Sequence, residues 1–227
     1  MLKLGLDLSL SSIRPQGGWS PDDEASLEAW YQNKVGITLN GSDVSSWADS
    51  SSNSHDMVQA TATHQPAYNA STGALTFVSA DINNLQSASQ ISLTGDFTLG
   101  LRMNTSTNNG TFIGDNTSQY EYFKYSASNK ISFRIAGAAS AHVFIDSGSF
   151  GDNSIVITRV SNVVTLYVDG VAQTTATPSV SGTFLVDVLG VRRTDINGYD
   201  GTMKEVQIYS SSSAGLTANI SDRLATL

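Results

Sequence analysis

The sequence predicts an all-β protein built as an antiparallel two-sheet sandwich, and three observations carry that expectation. The first is the stretch 155–173, IVITRVSNVVTLYVDGVAQ, which reads as three consecutive strands joined by two tight turns. Val160, Val163, Leu166 and Val168 suit a pleated, half-buried surface, and Asp169-Gly170 is the dipeptide of a type I′ hairpin, which needs positive φ at both central positions. The second is a succession of short apolar segments punctuated by Gly, Asn and Ser at intervals of about 8 to 12 residues, the spacing of a sandwich. The third is size: 227 residues with 40% apolar content make one sizeable core, and sandwiches of this length are often single domains.

At the N-terminus, Leu2, Leu4, Leu6, Leu8 and Leu10 alternate with Lys3, Gly5, Asp7 and Ser9, the period-two pattern of a strand with one apolar face. Such a segment is either an edge strand of the sandwich or an extended arm that adds to a neighbouring subunit's sheet. The second reading assigns residues 1–18 to an arm and linker, with SSIRPQGG at 11–18 as the linker, and residues 19–227 to the sandwich. Ser20-Pro21-Asp22-Asp23-Glu24 predicts a short N-terminal helix, with Ser20 as N-cap, Pro21 at the first helical position and Leu27, Trp30 and Tyr31 on the buried face. Strands are then expected at 74–78, 97–103, 111–113, 120–125, 131–136 and 141–145. The hairpin segment, 183–189 and 202–209 follow. The tail 216–227 is expected to add one or two helical turns, with Thr217 as cap and Ile220, Leu224 and Leu227 inward.

Composition narrows the function. The formal charge is −8, from 12 basic and 20 acidic residues, with no basic run, so a nucleic-acid partner has no electrostatic footprint. The chain has no Cys, which removes disulfides, thiol catalysis and Cys-based zinc sites together. No stretch approaches the roughly 18 to 20 apolar residues of a membrane span, and Lys3, Asp7 and Ser9 interrupt the apolar run a signal peptide needs. A surface-type β-domain, poor in charge and rich in Ser, Thr, Asn and Gly, is thus expected to be made in a cytoplasm and carried outside on a particle.

The hairpin pattern R-V-S-N-x-V-x-L-Y-V-D-G-x-A at 159–172 resembles the central hairpin of laminin-G-like, concanavalin A-like jelly-roll domains. YDGTMKEVQIY at 199–209 is similar to that family's closing strand, and DFTLGLR at 96–102 to its F-T-L strand. The region containing Val44, Trp47, Asp49, Asn53 and Gln65-Pro66-Ala67-Tyr68, preceded by a Leu-rich start and S-P-x-D, resembles laminin-G-like domains of tailed-phage virion proteins. It departs from them where Ser50-Ser51-Ser52-Asn53-Ser54 replaces a lysine-serine-glycine loop. The resemblance implies a jelly roll and a non-enzymatic virion subunit (capsid decoration, fibre or tail-associated) attached through Leu2, Leu4, Leu6, Leu8 and Leu10. Its partners would be other virion proteins, in a closed homo-oligomer such as a trimer. The alternative is a carbohydrate-binding module that mediates adsorption to a host or environmental polysaccharide.

A retaining glycosidase needs two carboxyls about 5 to 5.5 Å apart, yet Glu24 and Glu28 belong to the expected helix, and Glu121 and Glu205 have no acidic partner along their strands. His55, His64 and His142 are too scattered for a metal trio, and no G-x-S-x-G elbow supports a Ser-His-Asp triad. No cofactor is firmly expected. Asp195, Asn197 and Asp200 offer oxygen ligands at short spacing for a candidate calcium site, against the plainer reading of two turns. Sugar binding calls for exposed aromatics beside polar groups: Trp30 and Trp47 read as core, Tyr120, Tyr122 and Tyr125 as surface platforms, and Arg192-Arg193 as a partner for a carboxylated glycan.

Overall fold

The computed structural model describes residues 18–105, 110–193 and 197–227. The leucine arm lies outside these residues. Among them no helix is long and apolar enough to cross a membrane.

Seventeen strands follow one another: β1 (Leu27–Tyr31), β2 (Ile37–Asn40), β3 (Asp43–Trp47), β4 (Met57–Val58), β5 (Ala67–Asn69), β6 (Ala74–Phe77), β7 (Leu85–Leu93), β8 (Phe97–Thr105) and β9 (Thr111–Gly114). Then come β10 (Tyr122–Ala127), β11 (Lys130–Arg134), β12 (Ala141–Phe144), β13 (Asp152–Val160), β14 (Val163–Val168), β15 (Val171–Ala172), β16 (Phe184–Leu189), β17 (Gly201–Tyr209) and one helix, α1 (Ala214–Ala225). Every pairing is antiparallel. One layer runs β2–β3–β4–β7–β16–β9–β10–β11–β12. The other runs β15–β14–β13–β8–β17, with β1 and β6 sharing the outer edge of β17 and β5 beyond β6. A single bridge, Asp43 to Ala67, joins the two.

The expected hairpin region forms as read: both turns, Ser161-Asn162 (φ 49° and 70°) and Asp169-Gly170 (φ 48° and 79°), place both central residues at positive φ, matching the strands' right-handed twist. The core between the layers is aromatic. Phe123 stacks on Phe133 with centroids 4.8 Å apart and meets Phe184 edge-on at 5.0 Å, while Trp47 is fully buried as expected.

The short N-terminal helix is corrected to one 3-10 turn, Pro21–Asp23. Its start signals work locally, since Asp23 Oδ2 accepts from Ser20 N at 2.9 Å. They cannot carry the chain further, because a lone short helix is marginal and residues 27–31 instead satisfy their backbone on the edge of β17. The helix lies at the C-terminal end, where Ser213, not Thr217, is the N-cap and accepts from Leu216 N at 3.0 Å. Leu216, Ile220 and Leu224 fall one turn apart and pack with Leu27, Trp30, Val156 and Tyr209 on the outer face of the second layer. Gly100 of β8 makes room for this docking, since a Cβ there would overlap Ile220 Cγ2.

Glu205 of β17 anchors the helix. It is fully buried and accepts from Trp30 Nε1 at 3.0 Å, Asn33 N at 3.2 Å, Gln207 Nε2 at 2.7 Å and Arg223 Nε and Nη2 at 2.5 and 3.1 Å. Removing one partner of a buried pair leaves the other charge uncompensated, at a cost of about 3 kcal/mol. For a domain of this size Arg223→Ala is therefore expected to lower the melting temperature by about 6 to 12 °C; an unchanged melt would show that solvent replaces the guanidinium.

Candidate functional site

Whereas α1 packs on β13 and β8 of the second layer, the outer face of the first carries half-buried polar side chains over β10, β11 and β12. Alternation sorts these strands: Phe123, Tyr125, Ile131, Phe133 and Val143 enter the core, so their neighbours turn outward. The register then sets Tyr122 opposite Arg134, Lys124 opposite Ser132, and Ser132 opposite His142, with Lys130 opposite Phe144.

Two loops complete the face. Asp115 accepts from Thr117 N and Oγ1 at 2.6 and 2.7 Å, and its own N–H donates to Glu121 O at 3.1 Å, closing the 115–121 loop. The 190–193 turn docks on that loop: Arg193 N donates to Asp115 O at 2.9 Å, Arg192 Nη1 to Gln119 O at 2.7 Å, and Arg193 Nη1 to Gln119 Oε1 at 2.9 Å. With its amide turned to match, Asn197 accepts from Arg192 Nη2 and Nε at 2.5 and 2.9 Å. The Arg192 guanidinium thereby lies 4.2 Å from the centre of the Tyr122 ring, and Lys124 Nζ lies 5.7 Å from the same ring. Arg134 sits 4.4 Å from the ring of Tyr120.

The cations feel one another. Burial lowers the Lys124 pKa from its ordinary value, and Arg192 and Lys130 lower it further. Burial likewise lowers His142, followed by Lys130 and Lys124. Ser126 Oγ, Ser132 Oγ and His142 Nδ1 form a chain with contacts of 2.5 and 2.8 Å. Acids behind the 115–121 loop are shielded: Glu121 is 4% exposed and Asp187 6%. Burial pushes Glu121 up to about 7; Asp115 adds to the rise and the amides of Leu185, Ala136 and Gly137 oppose it. Burial raises Asp187 to about 6, opposed by the Asn116 amide and assisted by Asp115.

The expected site residues separate. Tyr120 is exposed, as a platform requires, and Tyr122 belongs to the outer face but is itself covered, with 4% exposure, beneath its cations. Tyr125 is corrected: it is 1% exposed and packs on Phe112, Phe150 and Tyr199. Arg192 is central. Asp200 gives both carboxylate oxygens to Ser79, at 2.7 Å to N and 2.6 Å to Oγ, and Asn197 faces a guanidinium, so both act as turn residues here; Asp195 lies outside the described residues, as do Leu2, Leu4, Leu6, Leu8 and Leu10. No group of three metal-ligating side chains forms among the described residues. Sequence reasoning missed Lys124, Lys130, Arg134 and His142, although Tyr122-x-Lys124-x-Ser126 and Lys130-x-Ser132-x-Arg134 share the parity that marks an outward face.

A Ser-His contact does exist at Ser132 and His142, but Ser132 is 3% exposed and the charged neighbours of the imidazole are lysines. A second feature, a groove of about 570 Å³ at the β4–β7 end of the same layer, is lined by Asp56, Gln59, Gln86 and Ser89 among others.

The two antiparallel layers make a concanavalin A-like sandwich. The chain belongs to the concanavalin A-like lectin/glucanases superfamily, whose family model matches residues 78–214. Among solved structures it is similar to Trypanosoma rangeli sialidase (TM-score 0.56, 12% identity, 94% of this chain and 36% of that one). It also resembles the binding domain of Paraclostridial Mosquitocidal Protein 1 (TM-score 0.55, 12% identity, 90% and 53%). A third is domain 4 of AbnA, an extracellular arabinanase from Geobacillus stearothermophilus, in complex with arabinotriose (TM-score 0.54, 15% identity, 86% and 98%). The chain thus spans about a third of the sialidase. At these identities the likeness is one of fold. No curated protein sequence matches the chain.

Proposed function

We propose that this domain binds carbohydrate without cleaving it, on the outer face formed by β10, β11 and β12. The carrying observation is the conjunction on that face of a ring, Tyr120, with fixed hydrogen-bonding groups, Arg134, Arg192, Lys124 and the Ser126–Ser132–His142 chain. Sugar rings stack on aromatic faces while side-chain donors and acceptors of this kind read their hydroxyls. The arabinotriose complex of the similar AbnA domain supports a sugar-binding use of the fold. A non-catalytic role is supported by Glu205, whose carboxylate is consumed by five donors beneath α1. A glycan array with the full chain tests the reading: binding is expected, together with no release of reducing ends from any bound glycan. Hydrolysis of a bound glycan would overturn the non-catalytic part.

A second reading concerns placement. The strict Leu alternation of residues 2–10 is the pattern of an arm that adds to a neighbour's sheet, and it supports attachment of this domain to a virion as a decoration, fibre or tail-associated subunit. Deleting residues 1–18 is then expected to leave a folded domain that no longer assembles; loss of folding would make the segment a core strand instead.

A further inference from the structure

We infer that the glycan taken by this face is acidic, its carboxylate or sulfate groups held by Lys124, Arg192 and Arg134 with His142 beside them. The inference rests on the carbohydrate-binding reading and names its ligand class.

Charge is concentrated on this face. The chain carries −8 overall, yet Lys124, Lys130, Arg134 and Arg192 share this one face with Arg193 at its rim, five of the 12 lysines and arginines. Lys124 lies within the field of Arg192 and Lys130, and His142 within that of Lys130 and Lys124. Among the described residues, the ion pairs join Arg102, Lys204 and Arg223 to Asp152, Asp169 and Glu205 on the other layer; none involves Arg134, Arg192 or Arg193. Like charges held together raise the free energy of the unliganded face, and an anion that enters relieves the repulsion as well as forming its own contacts.

The guanidinium groups are held in place before any ligand arrives. Arg192 is fixed by Gln119 O, Asn197 and the Tyr122 ring, and Arg134 by Ala138 O at 2.8 Å and Gly137 O at 3.2 Å. Neither use exhausts the five N–H groups of a guanidinium, so each presents a set direction for a planar or tetrahedral anion at little entropic cost. Neighbouring strands place Lys124, Ser132 and His142 in a row at intervals of about 5 Å, and Arg134 about 7 Å along, which suits charges repeated along a sugar chain.

A glycan suits the face better than a nucleic acid does. A phosphate backbone has one charge per nucleotide and would extend its dense charge over the remaining acidic surface. An acidic glycan brings hydroxyls beside its charges, which Ser126 and His142 can meet, whereas a DNA phosphodiester backbone has none.

The test is isothermal titration of the full chain with matched pairs at pH 7: oligogalacturonate and its methyl ester, sialyllactose and lactose, a sulfated heparan oligosaccharide and its desulfated form. A single-stranded DNA oligonucleotide serves as the phosphate polyanion. The acidic member of at least one pair is expected to bind tenfold or more tightly than its neutral partner, and that ratio to shrink as NaCl rises from 50 to 300 mM. Which pair responds identifies carboxylate or sulfate. Arg192→Ala and the half-buried-site variant Lys130→Ala are each expected to cut the acidic-to-neutral ratio at least threefold with the melt preserved. Equal binding of acidic and neutral partners would overturn this inference while leaving carbohydrate binding intact. Binding of no glycan would remove both, and DNA binding as tight as that of the acidic glycans would make the face a general polyanion surface.

Discussion

Arg159→Ala is expected to lower the melting temperature by about 8 to 16 °C. Arg159 of β13 is 1% exposed. Its Nε donates to Gly95 O at 2.8 Å, Nη1 to Gly182 O at 2.7 Å, and Nη2 to Leu93 O at 3.1 Å and to Gly95 O; its guanidinium lies 4.7 Å from the centre of the Phe97 ring. Leu93 ends β7 and Gly182 precedes β16, both in the first layer, whereas β13 belongs to the second. One side chain thus ties the layers together at their edge. Alanine leaves the buried Leu93 carbonyl without its partner, a loss of about 1 to 3 kcal/mol, releases the carbonyls of the exposed Gly95 and Gly182, and leaves a cavity. A total near 4 kcal/mol corresponds to the stated drop at about 2 to 4 °C per kcal/mol for a domain of this length. Scanning calorimetry reads it directly, and a fall of under about 2 °C would mean that water takes over the three carbonyls.

The second large effect is on pH. Glu121 is raised to about 7 from 4.5 and Asp187 to about 6 from 3.8, so the folded state binds more protons than the unfolded chain between those limits. The stability they contribute is complete below the unfolded values and is lost as pH rises through 6 and 7. For Glu121 the window is worth on the order of 3 kcal/mol, and the melting temperature is expected to fall by about 6 to 12 °C between pH 4.5 and 8. His142 acts with the opposite sign, because its folded pKa is lowered and its contribution grows as pH rises. Glu121→Gln separates the two. It removes the one titration and is expected to flatten the profile above pH 5; a variant whose melting temperature keeps the parent's slope would sink the assignment.

Much of the fold was legible because its signals are local. The Asp169-Gly170 turn, the β-branched run through 155–168 and the apolar i, i+4, i+8 stripe of α1 each need only nearby residues. The N-terminal helix failed for the converse reason. Ser20 to Glu24 signal a start correctly, but Leu27 to Tyr31 are decided by β17, nearly the whole chain away. Strand β7 carries Gln86-Ser87-Ala88-Ser89-Gln90, which has no apolar alternation of its own and is held extended by β4 and β16. The site was half legible. Tyr120, Tyr122 and Arg192 stood out by residue type, whereas Tyr125 needed strand parity to be seen as core, and the meeting of Lys124 with His142 needed the register across three strands. The role of Arg159 left no trace, because its partners are backbone carbonyls.

On the function proposed above, the outer face of β10, β11 and β12 takes the sugar. Amide NMR of the full chain, titrated with the tightest glycan from the array, tests it most directly. Shifts confined to 119–134, 140–144 and 190–193 are expected, with α1 and the β13–β14 hairpin undisturbed. Shifts centred instead on the groove of Gln59 and Gln86, or on the turn of Ser79 and Asp200, would place the ligand elsewhere and contradict the account.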